Sequence, residues 1–381
     1  MALGSARGGD ETYTKGLLTG LAEIVDDDGD RLFPLLVRPG VELPNIVRSR
    51  AAFPLVSVGG RISAVRHALT VRRAVSRFEP RISLLHSLIH APPWPPRPVA
   101  LYVPDLAFLR YPALHPLAVR VRFRALIPLH IRQARAIITV SEFSRCEIIG
   151  TYDVSPDSVF VVPNAVTVGG RAATAGTLET APRSDEEAPD PLGALGVDPP
   201  YLLYLGNLHP RKNVPRLIDA FARAQRAAAG IDNFKLVIAG GRWWGGGEEQ
   251  RAARQARPGS VVFLGRVPDA VRDALLQRAT ALLYPSLWEG FGLPPVEAMA
   301  VGTPVLASNT SAFPEVLSDA ALLVDPFDTD AIARGIVELA TSQALRATLI
   351  ERGRRRAATF TPRAMAERAL DAFHWAMDRA A

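Results

Sequence analysis

The sequence predicts an α/β protein of two domains, each built on a parallel sheet covered by helices. Three observations carry this. From Tyr201 onward, apolar runs YLLYL, KLVIA, VVFLG, ALLYP, PVLAS and ALLVD alternate with helical stretches, the pattern of parallel strands joined by crossover helices. The length of 381 residues asks for two or three domains at about 100–200 residues each. Between the halves, residues 167–200 are rich in Gly, Ala, Thr and Pro and nearly free of large apolar side chains. Such a stretch buries too little to offset its ordering entropy and is expected to be a flexible linker.

Composition narrows the class. Hydrophobic residues make up 48% of the chain and charged residues 22%, as in a globular protein with a substantial core. The one cysteine, Cys146, allows no intrachain disulfide and fits a reducing cytoplasm. No apolar run approaches the ~20 residues of a membrane span. The opening MALGSARGGDETYTKG has no apolar signal-peptide core. Metal-site spacings of Cys and His are absent, so no metal or cofactor is expected. The net charge of +6 lies wholly in residues 1–165, which hold 20 Lys and Arg against 14 Asp and Glu. Across 110–145, Arg110, Arg120, Arg122, Arg124, Arg132, Arg135 and Arg145 face only Glu142. An anionic membrane surface or a lipid phosphate suits this face better than nucleic acid, for which no motif is present; solvated arginines are the plain alternative.

In chain order, residues 12–25 read as an amphipathic helix with Leu17, Leu18, Leu21 and Ile24 on one side, preceded by Gly8-Gly9. Strands are expected at 32–37, 55–58, 82–86, 99–103, 136–140 and 159–162, with a helix near 63–78. His86 then falls at the carboxyl end of a strand, where open α/β sheets place ligands, although a satisfied loop histidine reads as well. Ser141 suits the N-cap of the next helix. In the second half, Arg211 and Lys212 follow a strand ending at Leu205, and Asn213 suits the N-cap of a helix from Val214. Two cations beside a helix amino end make an anion site. Only three of the 44 basic residues are lysines, Lys15, Lys212 and Lys235, which singles out Lys212. Pro285 ends the ALLY strand, and Glu289 and Glu297 flank a turn containing Gly290 and Gly292 before Pro294-Pro295 starts a helix. The glycines allow close approach of a ligand, and the helix start favours an anion. Either glutamate alone also reads as an ordinary solvated or dipole-favoured residue.

Weaker signals have simpler readings. Asp26, Asp27, Asp28 and Asp30 lack the remaining ligands of a calcium loop. Asp328-Thr329-Asp330 fits a helix N-terminus better than a metal motif. Trp243 and Trp244, in a glycine-rich loop, either stack on a ligand or pack on a neighbour.

The string SLWEGFGLPPVEAMA, followed by GTPVLAS, AFPEV and ALLVDP, resembles the Glu-x7-Glu signature of retaining group 1, or family 4, glycosyltransferases. GNLHPRKN resembles the Gly-x-x-x-Pro-Arg-Lys-Asn motif of the same family, with Asn207 where many members have arginine, and TVSEFSR resembles a further segment. The resemblance implies two Rossmann-like domains facing a cleft, the GT-B architecture. It implies an acceptor-side domain over 1–166, a nucleotide-sugar domain over 201–360, and a final helix, 361–381, packing back on the first. It implies a metal-independent transfer of a hexose from a nucleotide diphosphate sugar, with retention, to a saccharide or polyprenyl-linked acceptor. Arg211 and Lys212 would hold the diphosphate, and Glu289 would face the sugar. Glu297 would bond the ribose. Gly206, Asn207 and the backbone of Phe291, Gly292 and Leu293 would complete the donor site. The acceptor side would use Gly9, His86 and Asp105. Pro-Arg-Lys-Asn favours mannose or rhamnose donors of polysaccharide assembly, GDP-mannose first, and the setting implied is cytoplasmic, at the inner face of a membrane. The departures are Pro104 for a histidine, Ala165 for a glycine, and no apolar strand before Gly8-Gly9. Either the chain starts late or the first sheet lacks its central strand. These departures leave open a catalytically inactive sugar-nucleotide-binding or scaffold protein.

Overall fold

The computed structural model describes residues 9–25, 33–37, 41–57, 64–79, 81–92, 94–168, 171–172, 192–242 and 247–379. Gly8, the acidic run 26–30, Trp243, Trp244 and most of the expected linker lie outside them. The chain divides into two units, Met1–Ala165 with Phe360–Ala381, and Val166–Thr359.

The first unit holds two parallel sheets. A short pair joins β1 (Leu35–Val37) to β2 (Leu55–Ser57). A four-stranded sheet runs β3 (Leu85–Leu88), β4 (Val99–Tyr102), β5 (Ala136–Thr139) and β6 (Val159–Val161) in chain order. Its central strands β4 and β5 are buried on both faces, which explains their unbroken apolar runs. Leu101, Ile137, Ile127, Ile131 and Ile148 form the core below. β3 starts three residues later than the periodicity suggests. The Ile82 carbonyl accepts a bond from Arg97, while Leu85 N–H enters the ladder by donating to Pro98. His86 therefore sits second in its strand, not at the carboxyl end.

The first helix spans Gly9–Ile24 and packs on the last, Pro362–Asp378, within this unit. Gly20 makes that approach possible, since a Cβ there would lie 1.8 Å from the Pro362 carbonyl oxygen. The basic segment is partly self-satisfied. Arg110 forms a two-pronged ion pair with Glu147, and Arg145 donates to Glu142 and to the Val159 carbonyl. Ser141 caps its helix as expected, accepting from Ser144 N–H at 3.1 Å.

The second unit opens with a two-residue hairpin, β7 (Thr167–Val168) with β8 (Arg171–Ala172), inside the stretch read as linker. Leu192 and Val197, from the same stretch, are buried, so its ends belong to the folded unit. Six strands follow: β9 (Tyr201–Leu205), β10 (Lys235–Ala239), β11 (Val261–Gly265), β12 (Ala281–Tyr284), β13 (Val305–Ser308) and β14 (Leu322–Val324). They pair in parallel in the order β11-β10-β9-β12-β13-β14, the doubly wound arrangement. The direction of winding reverses between β9 and β12, so their carboxyl ends open a crevice. Asp328 caps the Thr329–Thr341 helix through Asp330 and Ala331 N–H, a structural use of the aspartates. Among the described residues no helix is long and apolar enough to cross a membrane, and no His, Cys, Asp and Glu cluster is arranged to hold a metal ion.

Gly20→Ala is expected to force the first and last helices apart and to destabilise the chain by about 1–3 kcal/mol, the usual cost of overpacking. Urea unfolding measures this as a lower midpoint; an unchanged midpoint would contradict the close approach.

Candidate active site at the switch point of the second sheet

Two loops meet at the carboxyl ends of β9 and β12. After β9 the chain passes through Gly206 at φ +145°, and a Cβ there would touch the hydroxyls of Tyr204 and Tyr284. Gly240, just beyond β10, would carry a Cβ only 1.7 Å from the Gly206 carbonyl oxygen, so Gly240 must be bare for the backbones to pass, while Gly206 is favoured by its φ. Arg211 and Lys212 follow on a tight turn, Pro210–Lys212, which the His209 ring caps by accepting from Arg211 N–H at 3.1 Å. Asn213 takes the left-handed conformation at φ 62°. Its side chain does not cap the following helix, as the sequence suggests. Instead its amide donates to the carbonyls of Pro285 and Pro326, at 3.0 and 2.8 Å, and so ties the cationic turn to the loop after β12.

That loop carries Glu289. Leu287 N–H donates to the Arg211 carbonyl, Arg211 donates to the Trp288 carbonyl at 2.6 Å, and Glu289 N–H donates to Ser311 Oγ at 3.1 Å. The carboxylate is 5% exposed and bridges both cations: Arg211 Nη1 lies 2.8 Å from Oε2, and Lys212 Nζ bonds Oε1. Lys212 also donates to the Tyr284 hydroxyl at 2.6 Å and lies 4.8 Å above that ring's centroid. Burial alone would raise the Glu289 pKa, but the Arg211 and Lys212 charges outweigh it and hold it at about 2. Burial raises Tyr284 and Tyr204 well above the phenol value, so both stay neutral.

The helix after Glu289 spans Leu293–Val301, one residue earlier than the proline pair suggests, with Gly292 before it at φ +92°. A Cβ on Gly292 would lie 2.4 Å from the Phe313 ring, so only glycine fits. Pro294 and Pro295 have no N–H. The donors that this helix start can offer an anion therefore come from its approach, Phe291, Gly292 and Leu293. Glu297 falls on the fifth helical residue, past the first turn. Burial raises its pKa, with nearby Arg272 pulling it down and Asp273 and Asp269 pushing it up. Asn207 keeps its carboxamide oxygen without a hydrogen-bond partner, while its carbonyl accepts from Tyr204 at 2.9 Å. Of the predicted donor residues, the fold thus brings Gly206, Arg211, Lys212 and Glu289 together around one ion-paired centre. Gly292 and Leu293 start the helix beyond it. His209, Tyr284, Ser311 and Gly240 were not legible as site residues, since each acts through a contact formed only in the fold.

The first unit places the other three candidates separately. Gly9 opens the first helix. Asp105 accepts from the N–H of Ala107, the first residue of a short helix, at 2.9 Å, and its charge joins burial in raising the pKa of Asp10. His86 donates from Nδ1 to the Ala100 carbonyl at 3.1 Å and accepts at Nε2 from the Tyr13 hydroxyl at 3.2 Å. Although the residue keeps an exposed edge, its ring packs against Tyr13 and Phe373, and this desolvation lowers its pKa. With both nitrogens engaged, His86 has the satisfied, structural role.

Residues 191–356 match the family model described as glycosyl transferases group 1. The chain is 33% identical over 261 residues to the O-antigen chain mannosyltransferase B of Escherichia coli. That alignment covers 68% of this chain and 65% of that protein's length. It is 29% identical over 350 residues to a phosphatidyl-myo-inositol mannosyltransferase of Mycolicibacterium smegmatis, covering 88% and 83%. Among solved structures, sucrose-phosphate synthase from Thermosynechococcus elongatus superposes with a TM-score of 0.69 at 20% identity, covering 96% of this chain and 93% of that one. The fold is the GT-B fold of two Rossmann-like units.

Removing the Glu289 charge should leave two buried cations unpaired. Glu289→Gln is expected to cost about 3–5 kcal/mol at pH 7. Because the folded pKa lies below the ordinary value of 4.5, the stability that this carboxylate contributes is complete above that pH. It drains as pH falls toward 2. The melting temperatures of parent and variant should therefore converge on acidification through this window; a gap independent of pH would contradict the ion-paired centre.

Proposed function

We propose that this chain is a glycosyltransferase that moves a hexose, mannose by preference, from a nucleotide diphosphate sugar to a saccharide or polyprenyl-linked acceptor. The observation that carries the reading is the buried Arg211–Glu289–Lys212 centre at the crevice of a doubly wound sheet, in the unit that matches the group 1 model. The names of the mannosyltransferase relatives support mannose.

The chemistry follows from charge. Breaking a sugar–phosphate bond develops positive charge on the sugar and negative charge on the departing diphosphate. Arg211, Lys212 and the N–H groups of 291–293 face the second, and a preorganised set of such donors stabilises it without a metal ion. Glu289 faces the first, as a carboxylate beside an oxocarbenium-like centre. Glu289 neutralises both cations. Arg211, the more exposed partner at 20% against 7% for Lys212, is the one that can turn toward a ligand. Lys212 stays seated on Tyr284. A donor phosphate oxygen on the same sugar face as the acceptor then takes the acceptor proton, and configuration is retained. Glu297, less readily ionised, is suited to bonding ribose hydroxyls.

A thermal-shift series with UDP-, GDP-, ADP- and dTDP-sugars tests the site, since a ligand selective for the folded state raises the melting temperature. One nucleotide family, GDP first, should raise it, and Lys212→Ala should abolish the shift. Glu289→Gln should keep donor binding and lose at least a hundredfold in nucleoside diphosphate release in the presence of acceptor. A shift with no turnover in the parent protein would make the chain a sugar-nucleotide-binding protein, and no shift in folded protein would remove the donor site.

A further inference from the structure

In the first unit, residues Leu117–Gln133 form a 17-residue helix, LAVRVRFRALIPLHIRQ, which contains no acidic residue. Its inner face is set by Phe123, Ile127 and Ile131, which join the core under β4. A 3.6-residue period places Ala118, Val121, Ala125 and Leu129 on the opposite side. An ordinary surface helix carries polar residues there. Here Val121 is 60% exposed, Leu129 53% and Leu117, at the helix start, 69%. Arg122 and Arg132 flank this stripe, with Arg124 exposed further round. Arg122 is braced by donating to His90 Nε2 at 2.8 Å.

We infer that the outer face of this helix is a docking surface for an anionic lipid bilayer, on which Val121, Ala125 and Leu129 enter the headgroup boundary while Arg122 and Arg132 meet lipid phosphates. At 1.5 Å per residue the helix is about 25 Å long, enough to lie along a membrane and too polar to cross it. Charge decides against the other occupants. A second copy of the same face would set Arg122 and Arg132 against their own counterparts with no carboxylate on the helix to pair them, whereas an anionic surface complements them. Nucleic acid would leave the apolar stripe uncovered. The surface lies outside the nucleotide-sugar centre and does not rest on the function proposed for it.

Sedimentation of the full chain with phosphatidylcholine vesicles, with and without phosphatidylglycerol, tests this. The chain should bind the anionic vesicles, release as salt is raised, and leave neutral vesicles largely unbound. Val121→Asp with Leu129→Asp should abolish binding, and Arg122→Ser with Arg132→Ser should weaken it by about fivefold per arginine. None of these positions is buried, so melting temperatures should match the parent and confirm folding. Absence of binding, or binding that survives the aspartates, would overturn the inference. So would a concentration-dependent dimer in the parent that Val121→Asp with Leu129→Asp converts to monomer, because the face would then be a self-association surface.

Discussion

The second unit is organised around one carboxylate held between two cations. Glu289, Arg211 and Lys212 are all largely buried, and none would be tolerated there alone, since an unpaired buried charge costs several kcal/mol. Their mutual neutralisation is what lets a charged centre sit at the end of an apolar sheet. The constraint spreads outward. Asn213 and Leu287 lock the two loops together, Tyr284 receives the Lys212 ammonium, and Ser311 fixes the Glu289 backbone. The result is a cationic turn whose backbone is fixed in place, the preorganisation that electrostatic catalysis requires.

Topology explains why the centre is where it is. In a sheet ordered β11-β10-β9-β12-β13-β14, the chain winds away from β9 and from β12 in opposite directions, and the two loops meet at that switch point. Glycine does the fine work. Gly240 lets two backbones touch, and Gly292 lets the chain turn against Phe313 into a helix whose second and third residues are prolines. The Leu117–Gln133 helix of the first unit follows a different logic, with Val121 and Leu129 left on its outer side.

Much of this was readable in the residues. Apolar runs marked every strand of the second sheet, most plainly β9, β10, β12 and β13, which are buried on both faces and have few polar positions to blur them. Arg211 and Lys212 stood out as two cations beside a helix start, whereas Glu289 alone also read as a solvated residue and was singled out by the resemblance to the Glu-x7-Glu signature. The first unit was harder. β3 was shifted because Ile82, apolar enough for a strand, is tied to Arg97 outside the ladder. His86 read equally as a ligand-facing residue or as a satisfied loop histidine, and the fold gives both its nitrogens to Tyr13 and Ala100. Such pairings join positions 14–73 residues apart and leave no local trace. The linker was read from composition, which does not register that Leu192 and Val197 find cores at its end.

The central claim is that the Arg211–Lys212 pair receives a diphosphate. Titration calorimetry of UDP, GDP, ADP and dTDP, each against its own monophosphate, measures this directly. The account predicts that one diphosphate binds at least tenfold more tightly than its monophosphate, because only the second phosphate reaches both cations. Equal affinities for a mono- and diphosphate pair, or no binding of any diphosphate to the folded chain, would contradict it.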